Sequence, residues 1–239
     1  MTISAQTVNS VFAIVKLSFN QPGESSLIGG ICGSAFLIND STVITAHHVM
    51  NSKVVPNPGY KYCRFWLLNR NGTLIIQIES QQLEDYQEID CSLIHLREKL
   101  NIPYLSIEKI DAKVGDSVYS IGHIGESMPK INAEWEGDKL IILNYSLENF
   151  KVDKEGEIKE IKKDTIQKND VNIINIEVIQ PSFGAIKGMS GGPLLSKSSD
   201  KLLGLMSYGL PENSAQKHSV YAISTNELYN KIITKHNNK

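Results

Sequence analysis

The chain has 239 residues, of which 41% are hydrophobic and 21% are charged, and its formal net charge at pH 7 is −2. A near-neutral chain without a basic stripe is not expected to bind nucleic acid, and its longest apolar runs are too short to span a membrane. The composition is typical of a soluble globular protein, and all-β barrels of this length commonly form one domain. We therefore expect a single domain over residues 1–239.

The three cysteines, Cys32, Cys63 and Cys91, are an odd number and show no Cys-x-x-Cys spacing. This pattern fits neither a disulfide framework nor a zinc site, so we expect free thiols beside buried strands. The first eight residues carry no Lys or Arg, which is not the pattern of a secretory signal peptide. We therefore expect a cytoplasmic protein that uses no metal and no cofactor.

Short runs of β-branched and aromatic residues, bounded by Gly, Asn and Pro, predict strands along most of the chain. In the first half they cover residues 10–17, 33–38, 42–44, 62–68, 73–78 and 92–96. In the second half they cover residues 117–121, 139–144, 172–179, 193–195, 202–207 and 220–223. The sequence therefore predicts an all-β fold, and we find no internal repeat.

Two segments interrupt the strands. Residues 97–113 contain Pro103 and a cluster of charges, and we interpret them as the crossover between two halves of the domain. Residues 148–170 alternate Lys with Glu, which predicts a solvated hairpin or loop that projects from the body. A substrate-gating or partner-binding insertion is the alternative for this second segment.

Only the end of the chain has a helical pattern. Ser224 and Glu227 have the spacing of a capping box, and Leu228 and Ile232 form an i,i+4 apolar pair. We expect one helix from about residue 226 to 236 that packs on the β body.

Ser190 lies in the stretch Gly-Met-Ser-Gly-Gly-Pro over residues 188–193. A nucleophile needs a sharp turn with little bulk around it, and glycine permits such a backbone. The N–H groups of Gly188 and Ser190 could then stabilise an oxyanion. A plain glycine-rich turn is the alternative. The nucleophile elbow of α/β-hydrolases is excluded, because its acid and histidine follow the serine and a helix must begin there, whereas residues 193–195 are strand-like.

A serine hydroxyl is a poor nucleophile unless an imidazole and a carboxylate activate it. His47 and His48 are the candidate bases. Neighbouring residues on an extended segment point in opposite directions, so only one of the two can face Ser190. Neither forms a helical i,i+4 pair that would favour zinc. Asp90 precedes an apolar run and is the candidate orienting acid, although Asp is also common as a turn residue at such a position.

Four motifs in this order resemble the chymotrypsin-fold, trypsin-like serine proteases. They are Thr-Ala-His-His over residues 45–48, Asp-x-x-Leu-Ile from Asp90, the glycine-rich stretch around Ser190, and Ser-Tyr-Gly over residues 207–209. The texture of the chain is most similar to bacterial HtrA/Deg-type or glutamyl-endopeptidase-type protease domains without a PDZ domain. The resemblance implies two packed six-stranded antiparallel β-barrels, over about residues 10–100 and 114–223, with the active site between them.

The resemblance also implies an activity and roles for single residues. Ser190 would attack the peptide carbonyl, His48 would be the base rather than His47, and Asp90 would orient the imidazole. The N–H groups of Gly188 and Ser190 would form the oxyanion hole. The expected protein is a serine endopeptidase acting on polypeptides through an acyl-enzyme. The alternative is a binding or regulatory module of the same fold that turns over poorly unless a partner protein activates it.

By alignment to the family, the specificity pocket would be formed by small uncharged residues, and the 207–209 strand would pair with the substrate backbone. The implied substrate-binding residues are Gly184, Ala185, Ser207, Tyr208, Gly209 and Ser219. The absence of an acidic residue among them disfavours Arg or Lys at the cleavage position. Met206 stands where glutamate-selective relatives have histidine, so a medium apolar or uncharged side chain is expected there.

One departure from the family concerns activation. Met189 precedes the serine where zymogen-activated relatives have an Asp that pairs with a newly formed N-terminus. A methionine cannot form that ion pair. The sequence therefore predicts control by ordering of loops around the site, residues 183–189 or 148–170, by substrate or a partner.

Overall fold

A computed structural model of the chain describes residues 4–24, 27–51, 56–125, 129–168, 171–184, 186–210 and 219–237. The N-terminal half is a curled antiparallel sheet of seven strands in the order β5-β4-β1-β2-β3-β7-β6. Its strands are β1 (Val11–Phe19), β2 (Ile28–Asn39), β3 (Thr42–Ala46), β4 (Tyr62–Asn69), β5 (Ile75–Ile78), β6 (Leu83–Tyr86) and β7 (Cys91–His95).

The second half is a closed six-stranded barrel in the order β11-β12-β15-β14-β13-β8, accompanied by a two-stranded hairpin of β9 and β10. Its strands are β8 (Ser117–His123), β9 (Lys130–Glu136), β10 (Lys139–Ser146), β11 (Lys151–Lys168), β12 (Val171–Pro181), β13 (Pro193–Ser196), β14 (Leu202–Leu210) and β15 (Ser219–Ser224). The predicted all-β class with two packed halves is confirmed. Strand β6, which pairs with β7 at the edge of the N-terminal sheet, was not predicted from the sequence.

Over its described part the charged segment 148–170 is a strand rather than a loop, and from Ile158 onward it forms the predicted hairpin, with β12 as the second strand. β11 spans 18 residues of it and pairs with both β8 and β12, which makes it a full member of the barrel. Its apolar residues Val152 and Ile158 are buried in the barrel core. The alternating Lys and Glu residues mark the solvent face of a strand whose other face is sparse in apolar residues.

The hairpin of β9 and β10 packs against the N-terminal sheet, although in the sequence it lies between β8 and β11 of the C-terminal barrel. Leu140 and Ile142 from β10 share a core cluster with Trp66 of β4 and with Val15 of β1. The hydroxyl of Tyr145 donates to the carbonyl oxygen of Asn69 at 2.7 Å. This cover explains why β1 is buried on both faces and is mostly apolar, with only Lys16 and Ser18 as polar residues.

A larger core cluster joins the two halves. It contains Phe36 and Ile44 from the N-terminal sheet together with Ile121 and Leu205 from the barrel. Leu105, from the connection that has no regular structure, packs into the same cluster. The two halves therefore share buried apolar surface, and a site at their junction has rigid walls on both sides.

The expectation that only the end of the chain is helical is wrong, because two short helices, α1 (Ala5–Asn9) and α2 (His47–Asn51), lie in the first half. Three 3₁₀ turns cover Ser80–Gln82, Gln87–Ile89 and Glu148–Phe150. The predicted C-terminal helix is confirmed as α3 (Thr225–Leu228), a π-helical turn (Tyr229–Ile233) and α4 (Thr234–Asn237). As the capping pattern predicted, the Ser224 hydroxyl accepts from the Glu227 N–H at 3.3 Å. No helix of the described ranges is long and apolar enough to cross a membrane.

Candidate active site

His48 and Asp90 form a directly hydrogen-bonded pair at the junction of the two halves. Nδ1 of His48 lies 2.8 Å from Oδ2 and 3.1 Å from Oδ1 of Asp90. The backbone N–H of His48 also donates to Oδ1 at 3.0 Å. The carboxylate is fully buried, whereas the imidazole is 20% exposed. Asp90 therefore fixes both the backbone and the ring of His48.

A strained turn presents Asp90 to the histidine. Asp90 ends the 3₁₀ turn Gln87–Ile89 with φ of +46°, in the left-handed region. Asp tolerates this conformation better than most residues. Its carbonyl oxygen accepts from the backbone N–H of His47 at 3.0 Å. Main chain and side chain of Asp90 thus hold the first turn of α2 from the same side.

Ser207, which the resemblance placed among the substrate-binding residues, contacts two other members of the site. Its hydroxyl donates to Oδ2 of Asp90, and this side chain is buried. Its carbonyl oxygen accepts from the hydroxyl of Ser190 at 3.0 Å. The structure therefore brings Asp90 and Ser190 together through one residue of β14, a link that the motif comparison did not predict.

Ser190 projects from a turn that two left-handed glycines form. Gly188 has φ of +94° and Gly191 has φ of +85°. A Cβ on Gly191 would lie 2.0 Å from the Ser34 carbonyl oxygen, and a Cβ on Gly188 would lie 2.2 Å from the Gly125 nitrogen. Both positions exclude any side chain, which explains why glycines flank the serine on each side.

The same turn carries the two N–H groups that were predicted to bind an oxyanion. Within the described ranges, the N–H groups of Gly188 and Ser190 donate to no protein acceptor, whereas the Met189 N–H between them donates to Ile186 at 3.1 Å. Two unused donors beside a serine hydroxyl can stabilise a developing negative charge on a carbonyl oxygen. The oxyanion role of Gly188 and Ser190 therefore stays a prediction.

His47 has partners of its own, away from Asp90. Its Nδ1 lies 3.1 Å from Oδ1 of Asp85 and 3.3 Å from the Ser92 hydroxyl, and its side chain is buried. The sequence argument that only one of the two histidines can face Ser190 assumed an extended backbone. That assumption is wrong, because both residues lie in α2. The two histidines have different surroundings because each pairs with its own carboxylate, His47 with Asp85 and His48 with Asp90.

The remaining predicted pocket residues differ in their exposure to solvent and in their contacts. Gly209 is exposed at the end of β14, and Gly184 is partly exposed. The hydroxyl of Ser219 accepts from Nε2 of Gln180 at 3.1 Å, a contact that no sequence motif suggested. Tyr208 is buried, with its ring stacked on Tyr221. Ala185 lies outside the described residues.

The described part of the chain shows no preformed metal site and no disulfide bond. Its residues include no group of three His, Cys, Asp or Glu side chains that could hold a metal ion. Cys32, Cys63 and Cys91 all lie outside any disulfide bond. Burial and the neighbouring Asp90 carboxylate raise the pKa of the Cys91 thiol well above its ordinary value, so this residue is an inert part of the core.

A closed barrel packed on a curled antiparallel sheet, with a His–Asp pair and a glycine-flanked serine at their junction, defines the chymotrypsin-fold proteases. The chain belongs to the family of the trypsin-like peptidase domain, whose family model matches residues 33–205. Membership in this family supports protease function with polypeptides as the substrate class. No curated protein matches the sequence.

Solved structures with the same fold share little sequence with the chain. The HtrA-type protease AlgW with a tripeptide is 18% identical with a TM-score of 0.60, over 97% of this chain and 61% of that chain. Rv3671c protease from M. tuberculosis in its active form is 16% identical with a TM-score of 0.57, over 96% and 82% of the two chains. The MamO protease domain from Magnetospirillum magneticum is 12% identical with a TM-score of 0.59, over 98% of each. These identities establish a common fold only.

Proposed function

We propose that the protein is a serine endopeptidase that cleaves polypeptides with Ser190 as nucleophile, His48 as general base and Asp90 as orienting acid. The observation that carries this proposal is the double contact of the buried Asp90 carboxylate with His48 Nδ1, at 2.8 and 3.1 Å. This contact requires the ring proton on Nδ1 when the imidazole is neutral. Nε2 then carries the lone pair that can accept the Ser190 proton.

The reaction follows from these placements. The Ser190 hydroxyl, which here donates to the Ser207 carbonyl oxygen, rotates about its Cα–Cβ bond toward Nε2 of His48. As Nε2 takes the proton, Oγ attacks the peptide carbonyl carbon. The N–H groups of Gly188 and Ser190 bind the oxyanion. The imidazolium, which Asp90 stabilises, then gives its proton to the leaving amine, and water hydrolyses the acyl-enzyme by the same route in reverse.

Substrate selection rests on the walls of the pocket. The small residues Gly184, Gly209 and Ser219 provide no charge for an Arg, Lys or Glu side chain. Ser219 and Gln180 add a neutral polar pair at 3.1 Å. Met206, which lies at the position of the glutamate-selecting histidine, is fully buried in the barrel core. We propose a medium apolar or uncharged side chain at the cleavage position, and a reducing, cytoplasmic compartment for a chain with three free thiols.

A second candidate function is a regulatory module that turns over only when a partner protein reorders the site. The contact between the Ser190 hydroxyl and the Ser207 carbonyl oxygen favours it, because that bond occupies the proton that His48 must receive. The two candidates differ in whether the isolated chain has an assembled site.

A fluorophosphonate probe tests this difference. We expect one equivalent of the probe to label wild-type protein at Ser190, and no labelling of Ser190→Ala. We also expect cleavage of an internally quenched peptide library. Absence of labelling in the folded isolated chain would favour the regulatory module, because its site is not assembled without the partner. Absence of both in a folded protein would contradict the endopeptidase proposal.

A further inference from the structure

Ser34 lies in the middle of β2, in the N-terminal half, but its hydrogen bonds go to the turn that carries Ser190. Its hydroxyl donates to the carbonyl oxygen of Gly188 at 2.8 Å. Its backbone N–H donates to the carbonyl oxygen of Ser190, also at 2.8 Å. One fully buried residue therefore holds both residues whose N–H groups form the proposed oxyanion hole.

A third bond fixes the peptide unit that carries the Gly188 N–H. The carbonyl oxygen of Lys187 accepts from the backbone N–H of Gly125 at 2.7 Å. In a trans peptide the C=O and the following N–H point in opposite directions. The Gly188 N–H is therefore directed away from Gly125, and rotation of this peptide would break the bond to Gly125.

His123 sets the direction of the Ser34 hydroxyl. The backbone N–H of His123 donates to Oγ of Ser34 at 3.0 Å, and its Nδ1 lies 3.5 Å from the same atom. A hydroxyl has one proton, which here points at the Gly188 carbonyl oxygen, so Oγ can only accept from His123. The ring is fully buried. Burial and the charges of Arg70 and Lys151 lower its pKa to about 3, so the imidazole stays neutral.

We infer that Ser34 is a positioning residue of the oxyanion hole, and that with His123 and Gly125 it holds the 187–190 turn in the geometry that catalysis needs. This inference rests on the proposed endopeptidase function. It also explains how the turn is ordered without the ion pair of zymogen-activated relatives. Met189 is 2% exposed in the barrel core, so an ion pair with a new N-terminus is not available to order the turn. Hydrogen bonds from Ser34 in the N-terminal half and from Gly125 after β8 supply that order instead.

Ser34 acts through Gly188 and not on the substrate. Removing its hydroxyl would leave the Gly188 carbonyl oxygen and the His123 N–H buried without their partner. The turn can then relieve this cost by rotating peptides, which misplaces the oxyanion donors. Loss of one oxyanion donor lowers kcat by about 10²–10³-fold. A donor that is present but misplaced is expected to cost less, so we expect a fall in kcat of about 10–100-fold for Ser34→Ala.

The test compares Ser34→Ala with Ser10→Ala. The Ser10 hydroxyl is equally buried and also donates to a carbonyl oxygen at 2.8 Å, that of Thr7 in α1. We expect Ser34→Ala to lower kcat with KM changed by less than about threefold, and to weaken a peptide boronate inhibitor by the same factor as kcat. Ser10→Ala should lower the melting temperature and leave kcat unchanged. A Ser34→Ala protein with kcat within twofold of wild type would overturn the inference, as would an equal loss in Ser10→Ala.

A second variant disturbs the same bond without removing the hydroxyl. A Cβ on Gly122 would lie 2.8 Å from Oγ of Ser34 and 3.5 Å from the Met189 Cα. Gly122→Ala should therefore push the hydroxyl off Gly188 and lower kcat in the same way. If Gly122→Ala folds and retains full kcat, the bond from Ser34 to Gly188 does not position the turn.

Hydrogen exchange separates failure of this inference from failure of the proposed function. We expect the amides of residues 186–192 to exchange faster in Ser34→Ala than in wild type, and at the wild-type rate in Ser10→Ala. Unchanged exchange in Ser34→Ala would overturn the inference whatever the activity. If wild-type protein is neither labelled by fluorophosphonate nor active, but Ser34→Ala loosens this turn, the endopeptidase proposal fails while the positioning role of Ser34 stands.

Discussion

Replacing Asp90 by asparagine converts one carboxylate oxygen into an NH₂ group. Both oxygens of Asp90 accept hydrogen bonds from known donors. Oδ1 accepts from the backbone N–H of His48 at 3.0 Å, a donor that cannot reverse. Oδ2 accepts from the Ser207 hydroxyl, which can turn and become an acceptor. The amide NH₂ of Asp90→Asn is therefore expected at the Oδ2 position. There it faces Nδ1 of His48 and forces that nitrogen to accept a hydrogen bond.

The neutral imidazole of His48 then carries its proton on Nε2 instead of Nδ1, and this change sets the expected loss of kcat. With its proton on Nε2, the neutral imidazole cannot take the Ser190 proton. A change of this kind lowers kcat by about 10⁴-fold in a triad, which corresponds to about 5.5 kcal/mol of transition-state stabilisation. Most of the buried donors keep a partner, so we expect the free energy of unfolding to fall by only about 1–2 kcal/mol.

The assay is the kcat for an internally quenched peptide, measured beside urea unfolding of the same samples. Asp85→Asn is the matched control, because Asp85 pairs with the neighbouring His47 at 3.1 Å but does not contact His48 in the described network. Asp85→Asn should keep most of its activity. Retention of more than about a tenth of wild-type kcat by folded Asp90→Asn would refute the orienting role of Asp90.

Four other outcomes are expected. Ser190→Ala and His48→Ala should fall to the same residual rate, and the double variant should be no slower, because triad members act as a unit; a further loss in the double variant would contradict this. His47→Ala should retain most activity with a lower melting temperature, since a buried contact is lost; an inactive His47→Ala with an active His48→Ala would reverse the assignment of the base. Reducing agent should leave the melting temperature and the mass of the intact protein unchanged, because none of the three cysteines is in a disulfide bond; a mass shift on reduction would reveal one. The pKa of His123 is about 3 when folded, against an ordinary value of 6.5. Only the unfolded chain takes up its proton between these values, so stability falls as pH drops below 6.5, by about 2 kcal/mol between pH 7 and pH 5. Urea unfolding of His123→Phe at both pH values should show this dependence reduced by that amount, and an unchanged pH dependence would exclude His123 as its source.

Several features of the site follow from the sequence because they depend on local chemistry. The glycines around Ser190 are required by the left-handed φ values of Gly188 and Gly191 and by the lack of space for a Cβ. A backbone requirement of this kind is visible in residue identity alone. The apolar strands of the N-terminal half are equally local, since burial imposes their β-branched and aromatic character.

The charged β11 shows where local patterns mislead. Its Lys and Glu residues look like a solvated loop, yet hydrogen bonds to β8 and β12 keep it in the barrel. A backbone ladder needs no particular side chains, so the neighbouring strands decide the structure of this segment. The same holds for the hairpin of β9 and β10, whose cover over the N-terminal sheet depends on the packing of distant residues.

The sequence by itself determined the order and identity of the candidate residues His48, Asp90 and Ser190, together with the all-β class. Only the tertiary structure decided how they are connected. Ser207 joins Asp90 to Ser190, and Ser34 reaches from the N-terminal sheet to the oxyanion turn. Both serines are single polar residues inside apolar strands. Asp90 and Gly188, which their hydroxyls contact, lie 117 and 154 residues away along the chain. The Ser-Tyr-Gly motif marked Ser207 only as a substrate-binding residue, and no motif marked Ser34, so only folding reveals these contacts.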